Sequence, residues 1–236
     1  MSHRTNRWPV AGLLASWLFC PSAFAQSSFS PPVRTVEPKD DAAQEPGFVQ
    51  FRQDVRRAAA ECSETSLRRI LAPTAPRNDV HMPPSRAFWR SWREDEDGLP
   101  GLCRILDRAI VLGGVSYGDR VYCVPYFSCA GGAPTELEEL GVYLVGVVER
   151  VEIRARPSAM AAVVAHARYP VLIDCRGPYE RCGRSLEDPP EGWWLARVDR
   201  TIGYVADAQV RHQLEPRLIV RRLPVGWRIT AMEFYD

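Results

Sequence analysis

From Val142 onward the spacing of apolar residues changes from a helical period to a period of two, and this change divides the chain. Val142 to Val151, Ile153 to Ala155, Val163 to His166, Val171 to Asp174, Trp193 to Val198 and Thr201 to Val205 read as short strands separated by turn residues. Close spacing of many short strands argues for a small β-barrel over residues 142–212. Upstream, Phe51, Val55, Ala58, Ala59, Cys62, Leu67 and Ile70 recur at helical spacing, which predicts one long helix from Phe48 to Leu71 or two joined near Ser63.

Prolines at 73, 76, 83 and 84 interrupt the pattern, after which Ala87 to Arg93 and Leu102 to Leu112 read as two more helices. Trp89 and Trp92, three apart, share a helix face and belong to a core. Gly113 and Gly114 end the last helix, and Arg120 to Phe127 then alternates like a strand. The expected fold is therefore α+β: a mainly helical domain with a few strands at 48–135, a small barrel, and a C-terminal unit at 213–236. In that last unit Arg217 to Arg222 and Trp227 to Phe234 flank Leu223-Pro224-Val225-Gly226 as a hairpin. The barrel is supplied before this hairpin starts, so we expect it to return to the helical domain, pair near Arg120 to Phe127 and bury Trp227.

Residues 1–25 have a basic start at Arg4 and Arg7, an apolar stretch from Val10 to Cys20, and Ala23-Phe24-Ala25 before an expected cut. They read as a secretory signal, which predicts a periplasmic or secreted protein with no transmembrane segment in its mature part. Phe19 is too bulky for the small position that precedes a lipid-bearing cysteine, so Cys20 reads as part of the signal. Residues 26–47 are poor in apolar side chains and read as a disordered linker.

Export makes disulfides of the remaining six cysteines. Cys175 and Cys182 flank a turn-rich segment and form the favoured pair; Cys62 and Cys103 lie in two predicted helices and would clamp them, leaving Cys123 and Cys129. No C-x-x-C spacing occurs and no histidine lies close to a cysteine pair, so no metal site is expected. The acidic run Glu94-Asp95-Glu96-Asp97-Gly98 lacks the spacing of a calcium loop and reads as a solvated turn. With a net charge of +1, no global field attracts nucleic acid, and the preference for arginine over lysine follows a GC-rich codon bias.

Val151-Glu152-Ile153-Arg154-Ala155-Arg156-Pro157-Ser158 resembles the opening of bacterial SH3-like domains, with an extended strand leading to a Pro-Ser turn. Val163-Val164, Gly192-Trp193-Trp194-Leu195-Ala196-Arg197-Val198 and Gly203-Tyr204-Val205 resemble its later landmarks in order. Glu152 and the long insert from Cys175 to Pro190 depart from the pattern. The resemblance implies a non-enzymatic module that binds peptidoglycan or a peptide of the cell envelope, with no cofactor; a protein adaptor of the envelope is the second reading.

Exposed aromatics offer a flat face to such ligands, and arginine offers paired donors. Trp193 and Trp194 must point to opposite faces of one strand, and the family's spacing makes Trp194 the inward one. Trp193 is thus the first candidate, joined by Tyr204, Tyr169 and Tyr179, with Arg154 and Arg156 as a two-residue-spaced pair. A cysteine hydrolase of cell-wall peptides is the catalytic alternative. It is poorly supplied: His81, His166 and His212 are the only histidines after the leader, and a paired cysteine is no nucleophile.

Overall fold

A computed structural model of the chain describes residues 35–73, 83–130, 143–176, 182 and 189–234. The expected leader, its cleavage site and Tyr179 lie outside the described residues.

The helical pattern forms α1 (Phe48–Glu61), α2 (Glu64–Ile70), α3 (Arg86–Glu94) and α4 (Gly98–Ile110). The break between α1 and α2 falls at Ser63, whose hydroxyl accepts from the Ser66 backbone N–H while the Ser66 side chain takes the Ser63 N–H. This reciprocal cap satisfies donors that a continued helix would have used otherwise. Ser85 starts α3 in the same way, accepting from Phe88 N–H at 2.9 Å. Helix α4 begins at Gly98, before the expected Leu102, because Pro100 sits in the first turn, where a missing N–H forfeits no helical bond.

The strands are β1 (Val115–Ser116), β2 (Val121–Val124), β3 (Tyr143–Gly146), β4 (Val151–Arg154), β5 (Val163–Ala167), β6 (Val171–Asp174), β7 (Trp193–Val198), β8 (Thr201–Ala206), β9 (Val210–His212), β10 (Arg217–Leu223) and β11 (Gly226–Glu233). They make two antiparallel sheets, so the chain is α+β. The first has the order β1-β2-β10-β11. Its inner face joins the helices in one core that includes Phe48, Leu67, Phe88, Leu106, Tyr122 and Trp227. Trp227 meets the Phe48 ring edge-on at 5.1 Å and donates from Nε1 to the Pro46 carbonyl at 3.1 Å. The last strands thus complete a core begun near residue 48.

The second sheet has the order β5-β4-β8-β7-β6-β3-β9, with its own core of Leu144, Val151, Ile153, Leu172, Ala196, Val205 and Val210. Among the described residues the expected closed barrel is not formed: β5 and β9 are the two edges of an open ladder. The expected strand from Val142 to Val151 is two strands, β3 and β4, separated at residues 147–150, where the β3–β9 pairing ends with Val147 N–H donating to the Gln209 carbonyl. Strand β4 meets β8 at the pair Arg154–Tyr204. Gly203 permits the close approach, since a Cβ there would lie 2.6 Å from Ile153 Cγ2 and 2.7 Å from the Arg154 carbonyl oxygen.

The expected linker is a correction as well, because residues 35–47 are packed. Val36 is 2% exposed within a third core shared with Val115, Tyr126, Tyr143 and Val171. Asp40 grips Arg52 through two contacts of 2.9 Å and accepts the Gly114 N–H at 3.2 Å. Two well-placed apolar side chains, Val36 and Ala42, together with this clamp hold a segment whose average composition is polar.

Disulfides join Cys62–Cys103, Cys123–Cys129 and Cys175–Cys182, with Cα separations of 5.8, 5.8 and 5.6 Å. The first ties the end of α1 to α4. Among the described residues, no helix is long and apolar enough to cross a membrane.

Candidate functional site

Alternation along β7 sends Ala196 and Val198 into the sheet's core, with Trp194 packed at its margin, and turns Trp193, Leu195 and Arg197 to the other face. Leu195 pairs with Tyr204 of β8, and Trp193 pairs with Ala206, so Trp193 and Tyr204 are diagonal neighbours on that outer face. Arg154 lies directly across from Tyr204 on β4. All three are half-buried, each showing part of its side chain to solvent. Gly192, just ahead of Trp193, accepts the Asp207 N–H at 2.8 Å through its carbonyl, which fixes where β7 starts.

Arg154 is already engaged. Its guanidinium donates to the Ala161 carbonyl at 2.6 Å and to the Glu152 carboxylate at 2.5 Å. Glu152 neutralises it, so Arg154 braces the β4 turn more than it offers a free cation. Arg156 does not share its face: β4 ends at Arg154, and Arg156 stands exposed in the following turn, where its carbonyl accepts from Ser158. Tyr169 lies in the left-handed turn between β5 and β6, its carbonyl accepting the Val36 N–H at 3.0 Å and its ring 5.6 Å from the Arg168 guanidinium. Burial, with a smaller contribution from Tyr169, pushes the Tyr126 hydroxyl up to about 12. Tyr169 therefore belongs to the junction with the N-terminal segment. Of the six candidate residues, the structure gathers Trp193, Tyr204 and Arg154, leaves Arg156 and Tyr169 elsewhere, and does not describe Tyr179.

A charged cluster around Trp194 was not anticipated. Trp194 Nε1 donates to Asp207 at 2.8 Å, and Arg108 of α4 donates to Asp207 at 2.6 Å and to Glu215 at 2.7 Å. The Arg176 guanidinium lies 3.4 Å from the Trp194 ring centre, and His212 stacks on the ring at 5.7 Å. Asp174, only 5% exposed, accepts from the Arg176 backbone N–H at 2.9 Å and faces His212 Nε2 at 4.0 Å. Leu214 N–H donates to His212 Nδ1 at 3.1 Å, which places the ring proton of neutral His212 on Nε2, toward Asp174.

Burial pushes the Asp207 carboxyl up, but hydrogen bonds from Arg108 and Trp194 and the charges of Arg108 and Arg211 outweigh it and hold Asp207 below the ordinary value. Burial dominates at Glu215, which is raised despite Arg108, and at His212, which is lowered despite Asp174. The arrangement is a brace: it fixes the Trp194 ring and ties α4 to the strand region. Its one sequence signal is the dense polar run Asp207-Ala208-Gln209-Val210-Arg211-His212-Gln213-Leu214-Glu215 directly after the alternating strands.

Among the described residues, no group of three or more histidine, cysteine or acidic side chains is placed to hold a metal ion. The six described cysteines are all bonded to one another, so none presents a thiolate. Compared with known proteins, the chain matches no family model, and neither the curated proteins nor the solved structures give a match.

Proposed function

We propose that the chain is a non-enzymatic, exported binding protein whose second sheet is an open variant of an SH3-like barrel that holds peptidoglycan or an envelope peptide against Trp193 and Tyr204. The observation that carries this reading is that those two aromatic residues occupy diagonal positions on the face turned away from the sheet's core, each partly open to solvent. Flat, stiff rings in that position suit a sugar or an extended peptide, whose apolar faces they cover at small entropic cost. Support for a barrel-like curl comes from Gln209, just before edge strand β9, whose side chain accepts the Glu152 N–H of β4 at 2.8 Å. This brings the two ends of the ladder toward one another. Three disulfides fit an extracellular or periplasmic location.

The envelope adaptor is the second reading, and edge strand β5 favours it. Val163 and Val164 are 42% and 48% exposed there, next to free ladder positions that an extended segment of a partner would pair with. Co-sedimentation with purified peptidoglycan separates the two. Pelleting of the mature chain that is lost in Trp193→Ala and Tyr204→Ala sustains the first reading, and a chain that stays in the supernatant refutes it in favour of the adaptor.

A further inference from the structure

Helix α3 carries Arg86, Arg90 and Arg93 at spacings of four and three, so the three guanidinium groups form one stripe along the helix. Together with Arg68 of α2, Pro84 and Trp89 they line a cleft of about 560 Å³. The size is that of a small-molecule pocket. Glu64 is the acidic side chain that reaches these arginines, accepting from Arg68 Nε at 3.0 Å and lying 3.5 Å from Arg93. Arg86 and Arg90 pair with no carboxylate among the described residues. Among the described residues one carboxylate thus stands against four guanidinium groups, in a chain whose total charge is only +1. The excess is local, and general basicity does not explain it.

Arg68 lies over the Trp89 ring at 4.8 Å, which holds its guanidinium beside the α3 stripe. The geometry of the ligand follows from the donors. A planar carboxylate is saturated by one or two guanidinium forks, as Glu64 already is, whereas a tetrahedral phosphate group presents oxygens in several directions and accepts from several arginines together.

We infer that the Arg68–Arg86–Arg90–Arg93 cleft is a binding site for a phosphate-bearing anion, separate from the Trp193 face. Phosphate groups reach an exported protein as soluble esters or as lipid headgroups, and the chemistry recognised is the same.

Isothermal titration of the full mature chain with sodium pyrophosphate, and co-sedimentation with phosphatidylcholine vesicles with and without phosphatidylglycerol, test the site and distinguish its sources. Saturable pyrophosphate binding without vesicle binding points to a soluble ester, and binding to phosphatidylglycerol vesicles points to a headgroup. Whichever is bound, the exposed double substitution Arg86→Gln/Arg90→Gln weakens it by about tenfold or more, the worth of losing charge-assisted hydrogen bonds. Arg56→Gln/Arg57→Gln on α1, a change of equal charge, and Trp193→Ala leave it unchanged. The inference is overturned if neither probe binds, or if the two double variants bind alike.

Discussion

Replacing Trp227 with alanine tests whether the terminal hairpin is part of the helical core or merely leans on it. The side chain is 5% exposed, in edge contact with Phe48 and Tyr122, and bonded to Pro46. A ring of this size removes roughly 150–250 Å² from water, or about 4–6 kcal/mol at 25 cal/mol per Å². That figure is an upper bound, because an unfolded chain already hides part of its apolar surface. Measured replacements of buried aromatics by alanine cost about 3–5 kcal/mol, so about 4 kcal/mol is expected. Trp227→Phe keeps most of the ring but loses the bond to Pro46 and part of the Phe48 contact, for about 1–2 kcal/mol. Urea unfolding of the oxidised chain, followed by circular dichroism, reads both values. In a chain of this length about 4 kcal/mol lowers the melting temperature by roughly 8–16 °C. Val225→Ala, at the exposed hairpin tip, serves as the control and changes stability by less than about 0.5 kcal/mol. A cost below about 1 kcal/mol for Trp227→Ala would refute the reasoning.

The disulfides differ in the loops they close: with sequence separations of 41 and 6, loop entropy assigns about 4 kcal/mol to Cys62–Cys103 and about 2 to Cys123–Cys129, and paired alanine variants compared by urea unfolding check that order. Gly203→Val forces a side chain against the Arg154 carbonyl and costs about 1–3 kcal/mol or more by the same assay, with loss of β4–β8 protection in hydrogen exchange. His212 is held below its ordinary value, so the unfolded chain takes up this proton first; its contribution is complete above about pH 6.5 and is lost as the pH falls through the lowered folded value. His212→Gln therefore flattens the stability profile in that window. Asp207 is also lowered, so its contribution is present above about pH 4 and is lost as acid brings the pH through its folded value. Asp207→Asn flattens the profile there and leaves the histidine window in place.

Segments long enough to repeat an apolar period were legible, because burial of one face imposes that period on the residues. Helices α1 to α4, the opposed Trp193 and Trp194, and the hairpin from Arg217 all fall in this class. Strands β1 and β9, of two and three residues, are too short to carry a period, and neither was read. Arg156 was misplaced because β4 stops at Arg154 and the chain then turns back toward β5, with Ala155 N–H donating to the Ala162 carbonyl at the mouth of the turn. The packed stretch at 35–47 was missed because its two anchoring apolar side chains are diluted by polar neighbours. The cluster at Trp194 left almost no trace, since its central ion pair joins Arg108 to Asp207 across 99 positions, and charge pairing has no period to detect. The open ladder was hidden for a related reason: edge closure depends on the pairing of distant strands, which alternation within each strand does not specify.

The bond from Trp227 to Pro46 spans 181 positions, which makes the helical core a structure that its own residues cannot finish. A ribosome that delivers the amino end first releases α1 to α4 well before their closing strands exist. Until β11 arrives, Phe48 and Tyr122 lack the ring they pack against, and a product terminated before it would keep that greasy surface open to proteases. Synthesis as far as β11 is in this way inspected by the fold itself.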